Sequence, residues 1–200
     1  MKTWLIALGA FLVSLTAAAS TTKEADIAAI EAYLSGLRTF QATFEQFMPG
    51  EPISAGKLFL QRPGKLVWRY DQPTPQRLIS TDGRLFFEDT ETQQITQLPS
   101  NGLTRLLTAD KVNFAEGGLE VVAHRRDKNG IYVELRLEGT DGDEPGKVGL
   151  MFKAEPLELR QLVSRNQLGE DVTVFFHDAT ANHPIPASVF TFTPPQYQDK

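Results

Sequence analysis

Few residues of this chain have the types and spacing that covalent chemistry demands. Its three histidines, His124, His177 and His183, fall in separate segments with no ligand spacing, so surface or strand-end positions are expected for them. The acidic run Glu88-Asp89-Thr90-Glu91 could supply a carboxylate pair or a calcium loop, but no ligand-spaced glycine follows, and a polar turn is the expectation. There is no Gly-x-Ser-x-Gly and no phosphate loop, and with zero cysteines there is no Cys/His dyad. Neither catalytic nor metal-ligating residues are expected, and no cofactor is implied. What stands out is one arginine, Arg62, in Arg62-Pro63-Gly64. A guanidinium is always charged and offers five donors in a rigid fork, so it can hold several acceptors at once. Taken alone, Arg62 would be a solvated charge at a strand end.

The elements that must position Arg62 are readable from a two-residue apolar period. Leu58 and Leu60 alternate with Lys57, Phe59 and Gln61, then Leu66, Trp68 and Tyr70 alternate with Val67, Arg69 and Asp71. Proline and glycine between the two runs predict a hairpin with Arg62 at its tip and a greasy sheet face beside it. Before it, Ile27, Ile30, Leu34 and Leu37 predict an amphipathic helix from Lys23 to about Thr39, with Glu24 and Asp26 near its start, where the macrodipole favours acids. Phe40, Ala42 and Phe44 then alternate as a first strand that Pro49-Gly50 closes.

Beyond the central hairpin, Asp82-Gly83 marks another between Arg77–Thr81 and Arg84–Glu88, and Gln94–Leu98 forms a further strand. Asn101 can cap a short helix ending near Asp110, on which Leu103, Leu106 and Leu107 share a face. The second half is strand and turn: Leu119–His124, Ile131–Glu138, then Val148, Leu150 and Phe152, then Leu157, Leu159 and Gln161, and finally Val172, Val174 and Phe176. About eleven strands in sequence-adjacent pairs, each apolar on one side, predict a mainly β fold with one antiparallel meander. A sheet that long curls, and with so few helices the expectation is an incomplete β-barrel around an apolar hollow.

Composition sets the class and the address. Two hundred residues suffice for one domain, and 41% hydrophobic with 22% charged residues excludes wholesale disorder. A formal charge of −5 without a basic stripe argues against nucleic-acid partners. Lys2, the apolar run Trp4–Leu15 and Ala17-Ala18-Ala19 have the three parts of a secretory signal peptide. The expectation is cleavage of residues 1–19, leaving a single domain over 20–200. Export without cysteines suits a bacterial periplasm.

Four pieces line up in order: the opening helix leading into Phe40-Gln-Ala-Thr-Phe-Glu-Gln46, Leu60-Gln-Arg-Pro-Gly-Lys-Leu-Val-Trp-Arg-Tyr70, Leu78-Ile-Ser-Thr-Asp-Gly83 and Phe190-Thr-Phe-Thr-Pro-Pro195. With the signal peptide they resemble the LolA family of periplasmic lipoprotein carriers over essentially the whole mature chain. The resemblance implies a helical lid over a hydrophobic cavity. It implies acylated lipoproteins as cargo, an inner-membrane ABC transporter as donor and an outer-membrane receptor as acceptor, with the carrier a monomer. Arg62 matches the arginine that holds the family's lid closed by hydrogen bonds. The sequence departs from the family after Phe87, where Glu88-Asp89-Thr90-Glu91 replaces a more aromatic turn.

Candidates for the cavity wall are Phe44, Leu58, Leu60, Leu66, Trp68, Tyr70, Leu135, Leu150, Phe152, Val174 and Phe176; candidates for the lid are Leu103, Leu106 and Leu107. Without the family these would read as plain core. The alternative from another class is a periplasmic lipid-binding or lipoprotein-sensing module on the same half-barrel.

Overall fold

The computed structural model describes residues 14–73, 75–99, 102–116, 118–137, 146–165 and 169–193. A first helix, α1, spans Ser14–Gly36. Its Ile30 and Leu34 are buried against the sheet, with Leu37 just beyond the helix end and Ile27 and Tyr33 alongside. Burying each such aliphatic side chain is worth about 1.5–3 kcal/mol, enough together to hold the helix down. Glu24 and Asp26 lie mid-helix rather than in its first turn, because the helix begins well before Lys23. It stops at Gly36, since Thr39 already opens a strand. The expected signal peptide lies largely outside the described residues.

Eleven strands follow: β1 (Thr39–Phe47), β2 (Ser54–Gln61), β3 (Lys65–Tyr70), β4 (Gln76–Thr81), β5 (Arg84–Asp89), β6 (Gln94–Leu98), β7 (Leu119–Asp127), β8 (Gly130–Leu137), β9 (Gly146–Lys153), β10 (Glu158–Arg165) and β11 (Asp171–Ala181). A short helix, α2 (Gly102–Thr108), lies between β6 and β7; the expected Asn101 cap falls outside the described residues. The strands form one antiparallel sheet in the order β6-β5-β4-β3-β2-β1-β11-β10-β9-β8-β7. Two meanders thus join through β1 and β11, and the two sheet edges, β6 and β7, are sequence neighbours. Their connection must cross from one edge to the other, and it carries α2 over the concave face against β2 and β3.

Local chemistry sets the register. Asp82 and Gly83 both have positive φ, 50° and 73°, the twist that a two-residue hairpin between β4 and β5 requires. Bulges break the alternation in three strands, the first in β11 opposite Gln41 and Thr43, where Asp178 has a positive φ of 49°. In β10 a shift between Leu159 and Gln161 turns Leu159 and Leu162 inward, in place of the Leu157, Leu159 and Gln161 phase that simple alternation predicts. In β7 a shift between Val121 and Ala123 sets His124 and Arg126 opposite Val133 and Ile131, on the inward phase. Alternation also puts Val67 on the wet face. It is buried there beside Ile79 and Phe86, because a 3-10 turn at Ala187–Phe190 passes over β3 and Phe192 stacks 5.0 Å from Phe86.

Candidate functional site

The concave face is lined by rings in a continuous row. Tyr70 and Trp68 each lie 5.2 Å from Phe44, Trp68 lies 6.2 Å from Phe176, and Phe176 lies 6.0 Å from Phe40. Tyr33 of α1 meets Phe152 edge-on at 5.9 Å. Gly56 makes room for the row: a Cβ there would stand 2.9 Å from the Phe44 ring and 2.0 Å from the Arg69 carbonyl oxygen. Leu58, Leu60, Leu66, Leu135, Leu150 and Val174 fill the same apolar cluster, and Tyr70 packs at its margin, its hydroxyl donating to Gln46 at 2.8 Å. Burial pushes the Tyr70 phenol up to about 12, with the Gln46 hydrogen bond pulling the other way.

The apolar hollow that the sequence predicts is closed on itself here, its lining side chains packed as core. Phe152, Val133, Leu135 and Val148 are 0% exposed, so no water-sized space stands against them. Side chains from the sheet, α1 and α2 pack together in the interior, each covering apolar surface of its neighbours. Two hollows lie at the margins, about 230 Å³ beside Tyr33, Phe40 and Leu157, and about 240 Å³ beside Leu106, Val112 and Leu119. Each is below the ~300–1,000 Å³ of sites that hold a drug-sized ligand.

Arg62 occupies the hairpin tip between β2 and β3, as the sequence indicates, but it is buried, 5% exposed, rather than standing free at the rim. Its Nη1 donates to the Ala109 carbonyl at 2.9 Å and its Nη2 to the Leu106 carbonyl at 3.1 Å. The Gly64 N–H adds a bond to the Thr108 carbonyl at 2.9 Å. The Leu106 and Thr108 carbonyls belong to the C-terminal turn of α2, whose carbonyls have no partners within the helix and carry its negative dipole end, and Ala109 follows directly. A cation is therefore well matched to the spot. Burial, then the nearby Arg38 guanidinium, pulls Arg62 down to about 10, with Asp110 partly opposing, so it keeps its proton at neutral pH. Leu106 and Leu107 of α2 are buried in the core cluster and Leu103 packs against it.

Further ties join α1 to the segment after α2. Arg38 pairs with Asp110 at 2.7 Å, Ser35 Oγ accepts from the Val112 N–H at 2.9 Å, and Glu31 accepts from the Phe114 N–H. At the other edge, Asp26 is 4% exposed and meets both His124 Nε2, at 2.9 Å, and Arg126. Of the surface and strand-end positions expected for the histidines, His124 takes one towards the end of β7, largely enclosed beneath α1. Sequence reasoning passed over Asp26, Arg126, Tyr33 and Phe40 as site residues. A signal existed for Asp26: with Ile30 and Tyr33 it shares the core-facing stripe of α1, where a carboxylate requires a partner.

An open, curled antiparallel sheet, apolar on its concave face and crossed by a helix tied down at one end, defines the class: a half-barrel with a covered mouth. Solved structures share this fold. An uncharacterized conserved protein from Thermus thermophilus aligns over 85% of this chain and 94% of its own, with a TM-score of 0.50 at 10% identity. A putative outer membrane lipoprotein-sorting protein domain from Vibrio parahaemolyticus aligns over 82% and 94%, also with a TM-score of 0.50, at 9% identity. In sequence, the outer-membrane lipoprotein carrier protein of Ralstonia nicotianae is 30% identical over 96% of this chain and 94% of its own. That of Cupriavidus necator is 28% identical over 96% and 93%. The profile described as outer membrane lipoprotein carrier protein LolA matches residues 35–193. The chain belongs to the LolA family.

Proposed function

We propose that this protein carries lipoproteins through the periplasm, sheltering their acyl chains between the concave sheet and the two helices. The physical need is plain. An acyl chain of about fifteen methylenes at ~0.8 kcal/mol each costs on the order of 12 kcal/mol to hold in water. A carrier needs a non-directional apolar wall and a cover that closes when it is empty. Phe44, Leu58, Leu60, Leu66, Trp68, Tyr70, Leu135, Leu150, Phe152, Val174 and Phe176 supply the wall, and α2 with Leu103, Leu106 and Leu107 supplies the lid. Arg62 is the latch.

The observation that carries this reading is the pair of bonds from Arg62 to the Leu106 and Ala109 carbonyls. They hold a lid over a core that is closed by side chains alone, so incoming hydrocarbon can replace protein hydrocarbon once the latch yields. The cargo comes from an inner-membrane ABC transporter and goes to an outer-membrane receptor, and the carrier works as a monomer after removal of residues 1–19. Among the described residues no helix is long and apolar enough to cross a membrane. No covalent chemistry on the cargo is part of this role.

Incubation of the purified protein with inner-membrane vesicles that hold labelled lipoproteins and ATP-driven release machinery, followed by size-exclusion chromatography, tests it. A soluble one-to-one complex is expected. Lipoproteins that remain in the vesicles, while a lipophilic dye still binds the protein, would replace the carrier with a lipid binder.

A further inference from the structure

Among the described residues three buried side-chain polar atoms lack a partner: Arg62 Nε, Trp68 Nε1 and Thr180 Oγ1. Arg62 is already engaged through its other two nitrogens, and Thr180 faces Gln41 on the outward phase of β11. Trp68 is different. It is 6% exposed, its strand neighbours across the ladders are Leu58 and Leu78, and the Phe44 and Phe176 rings lie beside it. Its indole N–H is therefore buried without an acceptor in an apolar cluster.

A buried indole N–H normally finds an acceptor, and one left without costs about as much as a lost hydrogen bond. Phenylalanine would pack among these rings without that cost. The penalty applies to the closed, empty protein, and it disappears when a molecule that carries an acceptor enters. Hydrocarbon chains offer no acceptor along their length. The one they bring is the carbonyl of the ester or amide that joins each chain to its head.

We propose that the Trp68 indole N–H donates to an acyl carbonyl of the bound cargo and so fixes how deep the chains seat. This inference rests on the carrier reading and deepens it. With the carbonyl held at Trp68, the methylenes run along the aromatic row through Phe176 to Phe40. Arg62 then governs whether the mouth is shut, and Trp68 governs which linkage is preferred: acyl-linked chains over ether-linked or free hydrocarbon.

The test uses two diacyl-type lipopeptide probes that differ only in linkage, one with esters and one with ethers, each displacing a lipophilic dye from the purified protein and from Trp68→Phe. The wild-type protein is expected to bind the ester probe about three- to tenfold more tightly relative to the ether than Trp68→Phe does, the range of one net hydrogen bond. The indole N–H resonance in a nitrogen-15 spectrum, identified by its loss in Trp68→Phe, should move downfield with the ester probe and stay with the ether. Equal discrimination by the two proteins, or a resonance indifferent to linkage, overturns the inference while leaving the carrier intact. Failure of both probes and the dye to bind overturns the carrier reading and this inference with it.

Discussion

Replacing Arg62 with leucine tests the latch most directly, because both sides of its energy can be worked from the structure. The guanidinium makes two charge-assisted bonds to α2, which at ~1.5–3 kcal/mol each give about 3–6 kcal/mol in favour of closure. Against this, burial lowers the group to about 10, which corresponds to a cost on the order of 3 kcal/mol. The surplus is about 0–3 kcal/mol, and its middle value of about 1.5 kcal/mol corresponds to roughly a tenfold preference for the closed lid. On the proposed reading, a latch of that strength would hold the lid shut and yield to cargo. Arg62→Leu removes the bonds and leaves the Leu106 and Ala109 carbonyls without their donors, so the closed state loses about 1–3 kcal/mol. The loaded state, with its lid already displaced, loses nothing. Loading from inner-membrane vesicles should therefore match the wild type, and transfer of the lipoprotein to acceptor outer membranes should fall roughly tenfold, since delivery must end in a closed carrier. Wild-type transfer by a fully loaded mutant would refute the reasoning.

Three further outcomes follow from the same contacts. A solvated tyrosine ionises near pH 10 and Tyr70 at about 12, so the folded protein holds this proton more tightly. The stability it contributes is complete below pH 10 and is lost as pH rises towards 12, by roughly 3 kcal/mol, so Tyr70→Phe should flatten the alkaline fall in denaturant midpoints; an unchanged slope would count against it. Asp26→Asn should cost about 1–3 kcal/mol in urea melts and speed amide exchange in α1, the range kept low because Arg126 is 40% exposed; wild-type melting would mean that the cluster does not anchor the helix. Gly56→Ala forces a methyl against the Arg69 carbonyl and the Phe44 ring, and should lower the midpoint by about 1–3 kcal/mol of overpacking, visible in near-ultraviolet circular dichroism as a disturbed aromatic row. Retention of that signal would show that the ring moves aside freely.

The strands were legible because one-sided burial writes a two-residue period, which β8 keeps from Ile131 onwards and β1 over Thr39–Phe44, and which β9 interrupts only at Gly149, buried under Tyr132. It failed where a bulge inserts a residue. In β7 the change of phase brings His124 and Arg126 inward, and no local composition marks it. Arg62 could be singled out as a donor, but its burial could not. Its acceptors are main-chain oxygens more than forty residues away, and a carbonyl is common to every residue type. The packed interior was legible as a set of core residues, but not how tightly it closes, because the same leucines and phenylalanines line a hollow or fill it depending on how far the sheet curls.

The order of strands has a mechanical consequence. The seam of the half-barrel falls between β6 and β7, where no ladder exists, and the connection bearing α2 bridges it. Widening the girth of the barrel then bends the sheet without parting any pair of strands. A container built this way would give at its circumference before it gave along its staves, and on the proposed reading that would let it fit chains of different number and length.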